Sequence, residues 1–467
     1  MIDLLAMLPI FVLGWIVMRL LAPLGWVFEI AIGTGLGIGI SSAIFFLLTW
    51  GGVASRASII SVEAALLVIA GLLLFLRKRP RESQPASAQP AWIWAFRIAA
   101  LIALALVAAD FSQSLAANPD GGYDAAAIWN LRARHLAAGA AAWHNAVSSS
   151  AGANHPGYPL LVSGFIARTW TLFGDFRSST PAALSGIFTL STVAALAASV
   201  WMLAGEALGW LAALVLLATE GFVSQASIQY ADIPLSFYLL ASVAVLAIAQ
   251  ARQWPPPLVL LAGLLAGMAA WTKNEGLPFL ALIFAAALWR GGVRSAKWLA
   301  AGIAPMLILT LAFKFRLVQG TESMFPSTLS QALKMMADFS RWSEIIASFA
   351  RNFWELGFFW AHPLLLMAIL AWACGFAPEA RSRWWLFLAP IGLLAADFGI
   401  YLITMSGLIW HLGTSNNRVI VQVWPALLFG FFVLLRTPNV PMKNADPRQT
   451  APRRKPGVAP AVSGSKR

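Results

Sequence analysis

Asp124, Asp232, Lys273 and Arg418 are the residues of this chain best placed to do chemistry, because each stands beside a long apolar run rather than in a polar domain. A carboxylate at the lip of a cavity takes a proton as a general base, while ammonium and guanidinium groups hold anionic oxygens such as those of a phosphate. Asp124 opens "DAAAIWNLRARHL", where Ile128, Leu131 and His135 follow at spacings of three and four, so a helix starts there. Its carboxylate either caps that helix or serves as base or metal ligand, with Arg132 and Arg134 approaching a phosphate or solvated. Asp232 starts the run "ADIPLSFYLL", a place the helix dipole also favours for an acid. Lys273 and Glu275 share "WTKNEGLP"; exposed pairs contribute only about 0–1 kcal/mol, so stability alone is a weak reason for them. Arg418 follows "WHLGTSNN" and opens the last run. His155 and Tyr158 lie in "HPGYPLL", before a run whose first turn carries Pro159, and Asp397 falls midway along another run, where it is either functional or a protonated or hydrogen-bonded carboxyl inside the bundle. His362, His411 and Glu322 are scattered and make no metal site.

These residues need a membrane scaffold to position them. The chain has 467 residues, 60% hydrophobic and 11% charged, against roughly 25% charged in soluble domains. Apolar runs long enough for a bilayer of about 30 Å recur almost throughout. The expected fold is therefore all-α, a polytopic integral membrane protein with about thirteen transmembrane helices and an amphipathic helix on the outer surface. The spans fall near 4–22, 26–49, 58–76, 93–112, 158–173, 182–204, 230–250, 257–271, 277–290, 297–313, 353–376, 384–407 and 418–436. Four stretches follow: 1–92 with N-terminal helices and a cytoplasmic loop, 93–313 with the outer loop 113–157, 314–436 with an outer loop and further helices, and a disordered basic tail at 437–467.

The net charge of +13 sits in clusters beside spans and in the tail, which read as topology signals facing anionic lipid and not as a nucleic-acid surface. Arg77 to Pro90, Arg252, Arg290 with Arg294 and Lys297, Arg381 with Arg383, and the tail all fall inside on one topology. Arg177 is read as inside too, and 207–222 as a half-membrane element, which keeps Asp232 outside; a full crossing there turns Asp232 to the cytoplasm. On this plan the polar groups gather at the outer face, and Arg418 is a cation against the positive-inside trend that wants an anion. Cys374 is the only cysteine, which excludes an intrachain disulfide and a Cys-based metal site.

In order and spacing from about residue 93 to 290, "YDAAAIWNLRARHLAAG", "HPGYPLLVSGFIA", "ADIPLSFYLL" and "GLLAGMAAWTKNEGLP" resemble the polyprenyl-phosphate-sugar-dependent glycosyltransferases of the C-type membrane fold. Protein O-mannosyltransferases and lipid A aminoarabinose transferases are such enzymes, and "IWNLRAR" with "WHLGTSNNR" is nearer an uncharacterised bacterial branch. The resemblance implies an inverting transfer from a polyprenyl-phosphate-sugar donor to a glycan, lipid or protein acceptor, at the outer face of a bacterial inner membrane. It implies Asp124 as base, with Asp232 orienting the acceptor or sharing that role, and Lys273, Arg418 and Arg132 on the donor phosphate. His155, Tyr158, Glu275 and Trp129 would contact acceptor or sugar. A divalent cation, Mg or Mn, stays open, because Ala125 follows Asp124 where the family pattern carries a second carboxylate. Two other readings stand beside this one: a transporter or lipid flippase relaying protons through Asp397 and Glu63, and an assembly subunit with the fold but no chemistry.

Overall fold

The computed structural model describes residues 2–77, 92–149, 155–320, 324–358 and 362–437, and the regular elements among them are helices. The expected cytoplasmic loop after Arg77, Glu322 and the tail beyond Thr437 lie outside the described residues. Four apolar helices come first: α1 (Ile2–Leu21), α2 (Trp26–Trp50), α3 (Arg56–Leu76) and α4 (Ile93–Ala117). A π-helical turn, Ala125–Asn130, runs into α5 (Leu131–Ala137) and is followed by α6 (Leu161–Phe173) and α7 (Ser179–Ala204). Next come α8 (Glu206–Leu217), α9 (Glu220–Ser227), α10 (Asp232–Ala251), α11 (Pro256–Thr272) and α12 (Gly276–Arg316). The chain ends in α13 (Leu329–Met336), α14 (Phe339–Trp354), α15 (Pro363–Cys374), α16 (Ala380–Arg383), α17 (Leu388–Ile403) and α18 (Leu408–Leu434). Among the described residues nine helices are long and apolar enough to cross a membrane, or ten if α8 and α9 form one bent span, so the chain is a multi-pass membrane protein.

Small residues set the closest helix contacts. A β-carbon at Gly37 of α2 would stand 2.1 Å from the Ile10 carbonyl oxygen, and one at Gly14 of α1 only 1.9 Å from that of Gly33. In lipid, where apolar burial gives little drive between helices, such backbone contact supplies the packing. Gly263 of α11 and Gly302 of α12 meet in the same way, each β-carbon position 2.1 Å from a carbonyl of the facing helix. α12 itself breaks at Gly292 (φ 70°), so its halves match the two spans expected at 277–290 and 297–313.

Two expected crossings change roles. α6 is short, thirteen residues or about 20 Å of rise. Near its start Ser163 Oγ donates to the Trp129 carbonyl at 2.9 Å; at its end Trp170 lines one hollow with Asn130 and Arg134. A helix whose two ends both meet the segment 129–134 does not traverse the bundle, so the reading of 158–173 as a crossing is corrected. Arg177, read as inside, instead lies at the end that holds Asp120, because Phe176 and Ser178 line that same hollow with Asp120.

The second change compensates the first. α8 starts after Gly205 (φ 98°), close to where Thr437 Oγ1 donates to the Ala204 carbonyl, and α9 follows at a 65° bend. After α9 the Ile228 carbonyl accepts the Gly122 N–H at 3.0 Å, so α8 and α9 together run from the Thr437 end to the Asp124 end. With α6 removed from the count and this bent pair added, Asp232 stays on the side of Asp124.

The last outer stretch also differs. The expected loop from 314 to 352 contains α13 and α14, whose Phe339 and Ile346 are exposed while Arg341 donates to the carbonyls of Tyr401, Leu402 and Thr404. The final helix starts at Leu408, ten residues before the expected boundary, which places Arg418 about 15 Å along it and not at its mouth.

Candidate active site

Asp232 is the first residue of α10 and has no exposed surface. Its Oδ1 accepts from Lys273 Nζ at 2.9 Å and Gln422 Nε2 at 2.5 Å, and its Oδ2 from Arg418 Nε at 3.0 Å. The elements explain the meeting: Lys273 ends α11, Arg418 and Gln422 sit four apart on one face of α18, and Asp232 starts the helix between them. Lys273 also reaches Glu275 Oε1 at 2.8 Å, and Arg418 Nη1 reaches Asp124 Oδ2 at 2.6 Å. Three carboxylates thus surround two cations, leaving a formal charge of −1.

Aromatic rings close the site on the surface-helix side. Arg418 lies 4.5 Å from the Tyr230 ring centroid, and the Tyr230 phenol oxygen accepts the Asp124 N–H at 3.2 Å. Tyr158 faces Lys273 at 5.9 Å and stacks on Trp129 with an interplanar angle of 7°. Burial pushes the Tyr158 phenol up to about 12 despite nearby Lys273, so it stays protonated at neutral pH. Burial opposes the charge on Lys273, but Asp232 and Glu275 outweigh it and hold the ammonium above the usual lysine range.

Lys273, Glu275, Arg418 and Gln422 of this cluster line a cavity of about 370 Å³ together with Tyr158, Phe325, Asp397, Tyr401, His411 and Ser415, whereas Asp124 and Asp232 touch Arg418 without lining it. Asp397, from the middle of α17, therefore opens onto the same space as Lys273 and Arg418.

The residues read from sequence divide into two groups. Asp124, Asp232, Lys273, Glu275, Arg418 and Tyr158 come together, and His155 is stacked on Tyr158 at 5.0 Å at the exposed edge. Arg132 and Trp129 stand behind this group. Arg132 is fully buried, donates to the carbonyls of Ala146 (2.7 Å) and Pro156 (3.2 Å), and does not line the cavity. Burial lowers its guanidinium to about 9, still charged at neutral pH, so it ties the outer loop together and its expected place on a phosphate is corrected. Trp129 is fully buried as well, which removes it as a surface for a sugar.

Asp124 does not cap its helix either; its side chain makes no bond to the turn and turns to Arg418 instead. Among the described residues no three His, Cys, Asp or Glu side chains converge as a metal site, and Asp124, Asp232 and Glu275 are each paired with Lys273 or Arg418. Gln422 and Tyr230 were missed from sequence; their signals are the i+4 spacing from Arg418 and the position two before Asp232. Comparison with protein-family models, curated proteins and solved structures finds no match for the chain.

Proposed function

We propose that this chain is a membrane glycosyltransferase that moves a sugar from a polyprenyl-phosphate donor to an acceptor hydroxyl on a glycan, lipid or protein, with inversion. Its scaffold would cross a bacterial inner membrane thirteen times, with the site at the periplasmic or extracellular face. The observation that carries the reading is that Arg418, which lines the cavity, is shared by Asp124 and Asp232, which do not line it.

Lys273 and the outer face of Arg418 are the cations that a phosphodiester meets on reaching the cavity. When the phosphate takes Arg418 Nη1, it displaces Asp124, whose carboxylate becomes free to accept a proton. Asp232 stays behind the two cations and keeps them aimed, since its own oxygens are filled by Lys273, Gln422 and Arg418. Asp124 then removes the proton of the acceptor hydroxyl, and the acceptor oxygen attacks the anomeric carbon. The bond from that carbon to the phosphate oxygen breaks on the opposite face, and its electron pair leaves with the phosphate, whose charge Lys273 and Arg418 stabilise. Single displacement inverts the anomeric configuration.

The test is sugar transfer in proteoliposomes supplied with labelled undecaprenyl-phosphate hexoses and pentoses. Asp124→Asn should lower transfer by about 10²–10⁴ with an unchanged melting curve. Unchanged transfer in that folded variant sinks the assignment. A proton-relay transporter is the weaker reading because Glu63, one of its two acids, is closed off by Arg168 and Ser41.

A further inference from the structure

The cavity carries more acceptors than the protein can fill. Glu275 Oε2, Asp397 Oδ2 and Gln422 Oε1 are each buried without a hydrogen-bond partner, and all three residues line the cavity. They come from three separate elements: the turn before α12, the middle of α17 and the fourth turn of α18. Asp397 is 5% exposed and Gln422 is fully buried, so neither orphan oxygen reaches bulk water. Buried polar atoms are normally paired, and three exceptions in one cavity need a common explanation. Among the described residues no buried donor that lines the cavity lacks a partner, so the mismatch has one sign.

A phosphate offers only acceptors and cannot satisfy these oxygens. A group rich in O–H or N–H can. We propose that Glu275, Asp397 and Gln422 form the subsite for the carbohydrate end of the substrate, their oxygens accepting from its hydroxyl or amino groups. This deepens the glycosyltransferase reading and rests on it for the link to phosphate. It divides the cavity by chemistry: the cations Lys273 and Arg418 take the phosphate, and the orphan acceptors take the sugar. It also gives Asp397 a use, since an ionisable residue inside a membrane helix is costly and functional by default.

The test uses the full chain in nanodiscs and calorimetric binding of three probes: a short isoprenyl phosphate, the same phosphate carrying a hexose, and the same carrying an amino-hexose. The sugar-bearing forms should bind at least about tenfold more tightly than the bare phosphate, and the better of the two identifies hydroxyl or amine as the preferred donor. Asp397→Leu should erase most of that ratio and leave bare-phosphate binding as in the wild type, while Asp397→Asn, which keeps one acceptor oxygen, should retain part of it. Since Asp397 holds no protein partner, both variants should melt at or above the wild-type temperature; a marked fall would make the residue structural and overturn the proposal. Equal binding of bare and sugar-bearing phosphate by the wild type would overturn it too, with the phosphate site intact. Failure of the donor reading looks different: no phosphate probe binds. Free glucose and glucosamine then decide, because binding that Asp397→Leu abolishes retains the subsite, and no binding removes it.

Discussion

Two buried ionic clusters lie in this bundle, and they are built to opposite plans. In the first, Arg168 of α6 donates to both oxygens of Glu63 of α3, Ser41 of α2 adds a bond at 2.6 Å, and Arg168 Nη1 reaches the Ala6 carbonyl at 3.1 Å. One acid faces one base, and no side-chain atom of either is left without a partner. In the second, three carboxylates share Lys273 and Arg418, and unpaired oxygens of Glu275 and Gln422 stand at its edge. The closed pair joins four helices and leaves nothing for a ligand. The open cluster keeps charge and hydrogen-bonding capacity in reserve beside a cavity, which is what a binding site requires and a structural joint does not.

The difference can be broken most severely at the closed pair. Glu63→Gln leaves Arg168 buried with no acid at all, which should destabilise the protein by about 3–5 kcal/mol. Replacing both partners together, Glu63→Leu with Arg168→Met, removes the stranded charge and should recover most of that loss. Thermal melts in one detergent compare the two. A single variant as stable as the double one would show that the pair is not the joint it appears in geometry.

The open cluster should respond differently, and more mildly, to loss of its central acid. Asp232→Asn leaves Lys273 with Glu275 and Arg418 with Asp124, so two acids still face two bases. An amide NH2 then replaces an oxygen that accepts one or two bonds, for a cost of about 1–3 kcal/mol. Transfer should nevertheless fall sharply, because Asp232 aims both cations. If Asp232→Asn proves more destabilising than Glu63→Gln, the contrast between an over-supplied and a balanced cluster is wrong.

Much of the open cluster was legible in the sequence, and the reasons are local. Asp232, Lys273 and Glu275 each stand at the end of an apolar run, where a charged residue is visible against its surroundings. Arg418 was visible as an outer cation, yet its depth was not, because Gly413, Asn416 and Asn417 look like a loop and tertiary packing holds them in α18. α6 was misread for a related reason. An apolar run shows that a helix is buried, but not whether lipid or protein buries it. Arg168 in its middle was the available signal, since an arginine there needs a partner inside the bundle. Nothing in the sequence could show that three oxygens from distant segments would face one cavity unpaired.

The mildest change sharpens the comparison at the wall between site and surface helix. Tyr158 touches Trp129 on one side and lines the cavity on the other. Tyr158→Phe keeps the ring, so at neutral pH stability should move by less than about 1 kcal/mol. Alkaline pH separates the two proteins. The folded phenol sits at about 12, above the value of about 10 for an unfolded tyrosine. Its folded-state pKa is raised, so its contribution is complete below pH ~10 and is lost as pH climbs through ~12. The wild type should therefore lose stability across that interval faster than Tyr158→Phe, by at most roughly 2–3 kcal/mol. Parallel melting curves from pH ~9 to ~12 would mean that water reaches the phenol, and that this wall is open to solvent rather than sealed by Trp129.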